Sequence, residues 1–412
     1  FNSIKWEQIY LALRDRIPEY LLRVASSYLE DRVLFVETED GTSEVKISAG
    51  VAQGSVKGPT MWNIMYDDLL RLKLPAGVIL VGYADDVAVI VTGDTTEEIE
   101  WKSNETLELV CTWMKDHGFK LAQEKSEAVL ITRRRKFEYP KLELDRFPIH
   151  FKDSIRYLGV WIDKAWNFKD HIKKASTKAG NVGTSLQRLM PNVGGLKHER
   201  RKLLSTVVHS ILLYGAPIWG TQEHRGMVVK HMGPVQRRMA LRVISGFRTI
   251  SYGAAFLLAG MQPIWLLAEE RRRIWEAQQN DEAKTYEEMK NDARGVLLQE
   301  WQKEWDTDGK GRWTHIFIKN VEGWTERKHG RLDYEVTQAL SGHGCFGAYL
   351  HKFNRRAVAT CQDCGAYCDD AEHAIFNCET HADDRALTHE IGAQLSPDSM
   401  VPLMLQSQKN WY

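Results

Sequence analysis

Residues 77–92, GVILVGYADDVAVIVT, constrain the fold of this chain more than any other segment. Two runs rich in Val, Ile and Leu each suit a β-strand, and they meet at Tyr83-Ala84-Asp85-Asp86. Adjacent carboxylates between apolar strands gain nothing from folding. Like charges repel at short range, and a buried carboxylate is costly unless compensated. One reading is an ordinary solvated turn, because Asp is common in turns. The other is a rigid hairpin end whose carboxylates hold a divalent cation.

The flanking sequence supplies the rest of an α+β unit. Residues 4–30 show apolar residues at helical spacing, with a break at Pro18. RVLFVET and SEVKISA flank EDGT, a hairpin pattern. GVAQGSVKGPTMWNIMYDDLLRL reads as a Gly-rich loop running into a helix. Residues 96–117 form an amphipathic pattern with Leu107, Val110, Trp113 and Met114 on one face. KSEAVLIT (125–132) and IRYLGVWID (155–163) are expected as further strands. Beyond about residue 165 the pattern turns helical, with helices predicted over 168–190, 197–215, 225–247 and one long helix over about 264–293. The chain has 412 residues, 43% of them hydrophobic, which suffices for two or three domains.

The formal net charge is zero, so overall charge points to no partner, but its distribution does. Residues 169–250 hold 15 Lys/Arg against 3 Asp/Glu. Lys173, Lys174, Lys178, Lys197, Arg200, Arg201, Lys202, Arg237, Arg238, Arg242 and Arg248 are candidates for phosphate contacts, which give affinity without sequence preference. Solvated helix faces are the plainer reading. Arg133-Arg134-Arg135-Lys136 reads either as a basic surface loop or as another phosphate contact. No run of 18 apolar residues marks a transmembrane helix, so no membrane partner is expected. The opening FNSIKWEQIY lacks the basic start and apolar core of a signal peptide.

Four of the six cysteines lie near the C-terminus. Cys361-x2-Cys364-x8-His373-x4-Cys378 offers four soft ligands at knuckle-like spacing, and Zn²⁺ takes four S or N ligands in a tetrahedron. Such clustering points to a metal site in a reducing compartment rather than to disulfides. Cys368 is a further thiol that could compete as a ligand.

Four boxes, in order, carry a family resemblance. Tyr83-Ala84-Asp85-Asp86 resembles the catalytic box of reverse transcriptases. Gly50-Val51-Ala52-Gln53-Gly54-Ser55-Val56-Lys57-Gly58-Pro59 is similar to the upstream box of non-LTR retrotransposon enzymes, usually GVPQGSxLGP; Ala52 and Lys57 depart from it. Gly118-Phe119-Lys120-Leu121-Ala122-Gln123-Glu124-Lys125-Ser126-Glu127 resembles the next box, and Tyr157-Leu158-Gly159-Val160 the primer-grip box. Tyr214-Gly215-Ala216-Pro217-Ile218-Trp219 and Ser341-Gly342-His343-Gly344-Cys345-Phe346 resemble C-terminal stretches of arthropod elements that insert into ribosomal RNA genes, type I of which is the nearest group. The Cys/His pattern is similar to a motif that follows the polymerase in that group.

The resemblance implies RNA-templated DNA synthesis primed at a nicked chromosomal target. Two Mg²⁺ would be held by Asp85, the principal ligand, and Asp86. Gln53 and Gly54 would line the nucleotide and template pocket, Tyr83 would lie near the primer end, and Lys125 would face the leaving pyrophosphate. Zn²⁺ would sit on Cys361, Cys364, His373 and Cys378. RNA template, target DNA and dNTPs are the implied partners, and the nucleus the implied place of insertion. The expected domains are palm with partial fingers (1–165), a helical thumb (166–250), a helical linker region (251–345) and a zinc-bound C-terminal region (346–412). Phe1-Asn2-Ser3 resembles the tail of the box that carries the family's first catalytic aspartate. That aspartate and the nicking endonuclease are expected upstream, and the fragment alone is expected not to polymerise. A non-catalytic or decayed nucleic-acid-binding protein on the same fold is the alternative, for which Ala52 and Lys57 leave room.

Overall fold

The computed structural model describes residues 4–39, 41–52, 54–280, 283–386 and 396–411. It divides into two compact units, Phe1–Ile155 and Arg156–Tyr412.

In the first unit, α1 (Trp6–Arg14) and α2 (Glu19–Leu29) are separated at Pro18, which becomes the N-cap of α2. The hairpin β1 (Val33–Thr38) and β2 (Gly41–Lys46) follows, largely exposed on both faces. Next come α3 (Gly58–Leu70), the antiparallel pair β3 (Val78–Tyr83) and β4 (Asp86–Val91), and α4 (Thr96–Asp116). Met61, Trp62, Met65, Tyr66 and Leu69 form one buried stripe of α3 at helical spacing. They meet Val110, Trp113 and Met114 of α4 and the helices α1 and α2 in one core. Trp62, Tyr66, Trp113 and Phe119 pack through it, two pairs stacked and two edge-on, with centroids 5.2–6.1 Å apart. Thr95 caps α4 by accepting from the Glu98 amide.

The β-structure is made of short antiparallel pairs. β5 (Leu142–Leu144) and β6 (Phe147–Ile149) turn at Asp145 and Arg146, both with positive φ, and are tied to α4 through the Asn104 amide. The strand expected over 125–132 does not form: residues 123–125 make a short 3-10 turn, and Ala128 makes a single bridge to Phe151. Its apolar run meets no neighbour that offers a continuous ladder, and propensity without a partner leaves a strand unformed. Residues 155–163 form two strands rather than one. β7 (Ser154–Tyr157) and β8 (Val160–Asp163) pair across Leu158 and Gly159, where φ is 45° and 85°.

The second unit is helical. α5 (Lys169–Gln187) and α6 (His198–Leu212) pack with the short α7 (Ala216–Trp219), α8 (Arg225–His231), α9 (Gly233–Val243) and the apolar α10 (Tyr252–Ala259). The helix expected over 225–247 breaks at Met232 and Gly233, because Pro234 has no N–H and cannot continue the ladder. The long helix expected over 264–293 is two: α11 (Ile264–Asn280) and α12 (Tyr286–Thr307). Thr285 and Glu288 form a capping box that starts α12 afresh. Arg225 and Arg273 bridge Glu269 of α11 to Glu300 of α12, and Arg294 pairs with the buried Glu270 at 2.7 Å. Such pairs add little net stability, but removing one partner strands a charge. α13 (Arg312–Phe317), α14 (Val321–Thr325), α15 (Tyr334–Ser341) and α16 (Gly347–Lys352) complete the body with α17 (Ala382–Ala386), α18 (Pro397–Gln406) and α19 (Gln408–Trp411). Trp219, Trp301, Trp305 and Trp324 anchor its core. Among the described residues no helix is long and apolar enough to cross a membrane.

Candidate active site and metal centre

The β3–β4 hairpin places the carboxylate pair. Tyr83 pairs with Asp86, leaving Ala84 and Asp85 as a two-residue turn. Ala84 carries a φ of 55°, a left-handed conformation that costs about 1–2 kcal/mol in a residue with a side chain. The Trp62 indole N–H donates to the Ala84 carbonyl at 2.9 Å, so α3 holds the strained turn in place. Tyr83 through Asp86 are all exposed. Tyr83 is therefore no core aromatic, since 64% of its surface is open.

Beneath the turn lies Tyr66. Its ring crosses the strand at Gly82, where an added Cβ would stand 3.1 Å from Tyr66 Cε1 and 3.2 Å from Leu70 Cδ2. The strand needs glycine there to let the ring approach. The Tyr66 hydroxyl is buried and has no hydrogen-bond partner. Burial, reinforced by the negative charges of Asp85 and Asp86, pushes its pKa up to about 12. A neutral donor thus sits within the field of both carboxylates. Neither Trp62 nor Tyr66 was expected from sequence. Their signal is the i, i+4 aromatic spacing in MWNIMYDD, which reads equally well as plain core.

Gln53 lies outside the described residues. Gly54 has a φ of 87°, and nothing lies within 4 Å of the place its Cβ would occupy. Gly58 is needed by its own loop. A Cβ there would lie 2.7 Å from the Ala52 carbonyl oxygen and 2.8 Å from Ser55 Oγ, which also accepts from the Gly58 amide. Lys125 ends the 3-10 turn with its side chain in solvent. Arg133 to Lys136 are exposed, with Arg134 donating to the Asp94 carbonyl.

The basic block divides by use. Arg201 is 4% exposed, and its guanidinium donates to the carbonyls of Pro191, Gly194, Leu196 and Arg242 and to Ser245 Oγ. It is a structural clamp and not a phosphate contact. Arg237 spends donors on the carbonyls of Arg248 and Ile250, and Arg242 donates to Asn192. Sequence counts charges and cannot see which are already committed. In the Tyr214–Trp219 stretch, Tyr214 donates to the Leu158 carbonyl at 2.7 Å, and the buried Trp219 indole donates to the Tyr214 carbonyl.

Near the C-terminus, the ligand atoms of Cys361, Cys364, His373 and Cys378 all lie within 4.8 Å of one another. Cys361 and Cys378 sulfurs are 4.0 Å apart, and Cys364 Sγ is 3.3 Å from His373 Nε2. Metal–ligand bonds of 2.0–2.3 Å in a tetrahedron set ligand separations of about 3.3–3.8 Å, so the four side chains could hold one such ion after closing in by up to about 1 Å. The Cys361–Ala366 turn closes through Cys361 N–H to the Ala366 carbonyl and Gly365 N–H to the Cys361 carbonyl, with Gly365 at φ 78°. Cys368 is exposed and lies outside the group.

Residues 1–162 match the family described as reverse transcriptase (RNA-dependent DNA polymerase). The chain is 27% identical, over 94% of its length, to a putative 115 kDa protein in type-1 retrotransposable element R1DM of Drosophila melanogaster, and covers 39% of that protein. It is 27% identical over 82% of its length to a Retrovirus-related Pol polyprotein from type-1 retrotransposable element R1 2 of Nasonia vitripennis, covering 87% of it. An RNA-directed DNA polymerase from the mobile element jockey of Drosophila melanogaster is 26% identical over 49% of the chain, which spans 23% of it. The chain thus spans well under half of the first of these relatives. Residues 1–162 thus match the reverse transcriptase family, and most of the chain is similar, at 25–27% identity, to proteins of type-1 retrotransposable elements of arthropods.

Proposed function

We propose that this chain supplies polymerase function to a non-LTR retrotransposon, copying element RNA into DNA from a primer at a nicked chromosomal target. The observation that carries the reading is the exposed Asp85-Asp86 pair on a hairpin end clamped by Trp62, inside the reverse transcriptase match. Mg²⁺ takes one or two carboxylates and completes its shell with water and substrate phosphates, which suits a two-carboxylate end open to solvent. When bound, two such ions stabilise the attacking and leaving oxygens of an in-line displacement.

Asp85 is the principal ligand and Asp86 the second carboxylate. The neutral Tyr66 hydroxyl lies in the field of the pair. Gly54 and Gln53 border the nucleotide and template, Tyr83 lies beside the primer end, and Lys125 faces the departing pyrophosphate. The partners are RNA template, target DNA and dNTPs, and the place of action is the nucleus at the insertion step. Cys361, Cys364, His373 and Cys378 hold Zn²⁺. Phe376, between two of these ligands, stacks on Phe317 with centroids 6.2 Å apart, which favours zinc as a clip fastening this segment to the helical core.

The test measures Mn²⁺ binding by electron paramagnetic resonance on the 412-residue chain with a dNTP. Tight binding that is lost in D85N/D86N supports the reading. Equal binding by wild type and double variant overturns it.

A further inference from the structure

An open cleft of about 510 Å³ lies in the helical unit, and none of its lining residues belongs to the aspartate hairpin or the Cys/His group. Its walls come from the end of α6 and the turn into α7, from α11, and from the start of α12. Three aromatic side chains line it: Tyr214, Trp275 and Tyr286. They are 52%, 46% and 54% exposed, an unusual outlay of aromatic surface.

These rings stand on fixed supports. Tyr214 is pinned through its hydroxyl to the Leu158 carbonyl, and its ring lies so close to Gly159 that a Cβ there would stand 2.7 Å from Tyr214 Cε1. Tyr286 is the first residue of α12, seated by the Thr285–Glu288 capping box. Trp275 projects from the middle of α11. Arg271 also lines the cleft, oriented by its donation to the Leu213 carbonyl at 3.1 Å. Among the described residues that line the cleft there is no carboxylate.

Rigid exposed aromatics stack nucleobases of any sequence, and arginine adds a planar cation that stacks on bases or pairs with phosphate. A protein partner would find, among the described lining residues, aromatic surface but no acidic group to match its basic residues. We propose that this cleft binds an unpaired stretch of nucleic acid, with bases stacked on Tyr214, Trp275 and Tyr286 and a phosphate or base facing Arg271. The proposal deepens the polymerase reading, since a copying enzyme must hold strand that is not yet, or no longer, paired. It does not depend on the aspartate site being active.

Fluorescence anisotropy on the full chain tests it, with labelled ten-nucleotide oligo(dT), oligo(U) and a blunt DNA duplex. Losing one stacked base costs about 1–3 kcal/mol. Trp275→Ala with Tyr286→Ala is therefore expected to weaken single-strand binding at least about 5-fold, with duplex binding changed less than about 2-fold. Trp275→Phe with Tyr286→Phe, which keeps the rings, restores most of the affinity and controls for folding. Comparing oligo(dT) with oligo(U) tells which strand type the cleft prefers. Unchanged single-strand affinity in the alanine double variant, or equal loss on duplex, overturns the proposal and leaves the cleft to a protein partner. Mn²⁺ binding that is equal in wild type and D85N/D86N, with strand binding retained, would sink the polymerase reading alone.

Discussion

Replacing Arg201 by Met separates a structural arginine from a nucleic-acid contact. Arg201 starts on α6 and reaches across to the 191–196 loop and the end of α9. Its five donations go to four carbonyls and one hydroxyl, at 2.5–2.9 Å. Methionine matches the length of the stem but donates nothing, so these acceptors lose their partner in a region closed to water. Bonds from a charged donor are worth roughly 1.5–3 kcal/mol each, and they do not add when they share one group. Breaking such a buried network costs about 3–5 kcal/mol. At about 2–4 °C per kcal/mol for a unit of this size, melting of the helical unit should fall by roughly 10 °C. Arg201→Lys keeps the charge but not the planar fork and should recover part of the loss. The assay is thermal unfolding followed by tryptophan emission, which Trp219, Trp301, Trp305 and Trp324 dominate in this unit. Beside it, nucleic-acid affinity below the transition is measured against salt. A phosphate-binding arginine would lower the log–log salt slope by about 0.9 when removed, whereas the clamp leaves it unchanged. A melting shift under about 2 °C together with a reduced slope would refute the argument.

Three further perturbations test other parts. Tyr66→Phe deletes the buried hydroxyl but keeps the ring on Gly82; it should weaken Mn²⁺ binding several-fold in the spin-resonance titration, with melting lowered by no more than a degree or so. Zinc released by a thiol-blocking reagent and read with a colorimetric chelator should amount to one ion per chain; Cys378→Ser should abolish it and loosen the C-terminal segment to protease, whereas Cys368→Ser should leave it intact. His209 should make the helical unit acid-sensitive. Gln236 is fully buried, its amide oxygen accepts from the Ile264 amide, and its NH₂ therefore faces His209 Nε2 at 3.2 Å, which must accept. Burial first, then Arg271 and Lys202, hold the His209 pKa down to about 4. The unfolded chain binds a proton near pH 6.5 and the folded one does not, so stability falls as pH drops from about 6.5 towards 4, by at most about 1.4 kcal/mol per pH unit. His209→Gln should flatten that slope in urea titrations at pH 7.5 and 5; an unchanged slope would exclude His209 as its source.

What sequence could reveal here follows from how local each determinant is. The β3–β4 hairpin, the break at Pro18, the amphipathic α4 and the Cys/His spacing are settled within a few residues, and the structure forms each of them. The strand expected over 125–132 depended on a partner elsewhere in the chain, and β-propensity cannot supply one. The division of 264–293 into α11 and α12 was written in Thr285 and Glu288, a capping box that a helical apolar pattern running through it concealed. The division of 225–247 was written in Pro234.

The aspartate site shows the same limit from the chemical side. Asp85 and Asp86 are legible because charge between apolar strands demands a reason, but what makes them usable is not adjacent in sequence. Ala84 holds a left-handed turn that alanine does not favour, and the turn persists because Trp62, 22 residues earlier, donates to its carbonyl. Gly82 is small so that Tyr66 can lie across the strand, and burial, with the same carboxylates behind it, opposes the ionisation of Tyr66. α3 is therefore part of the site and not only its support. Strain stored at Ala84 is released if Trp62 is lost, so Trp62→Phe should let the turn relax and disperse the two carboxylates. The loss of one indole bond costs only about 1 kcal/mol of stability. Metal affinity should then fall much further than stability does, and equal losses in both would show that Trp62 only packs.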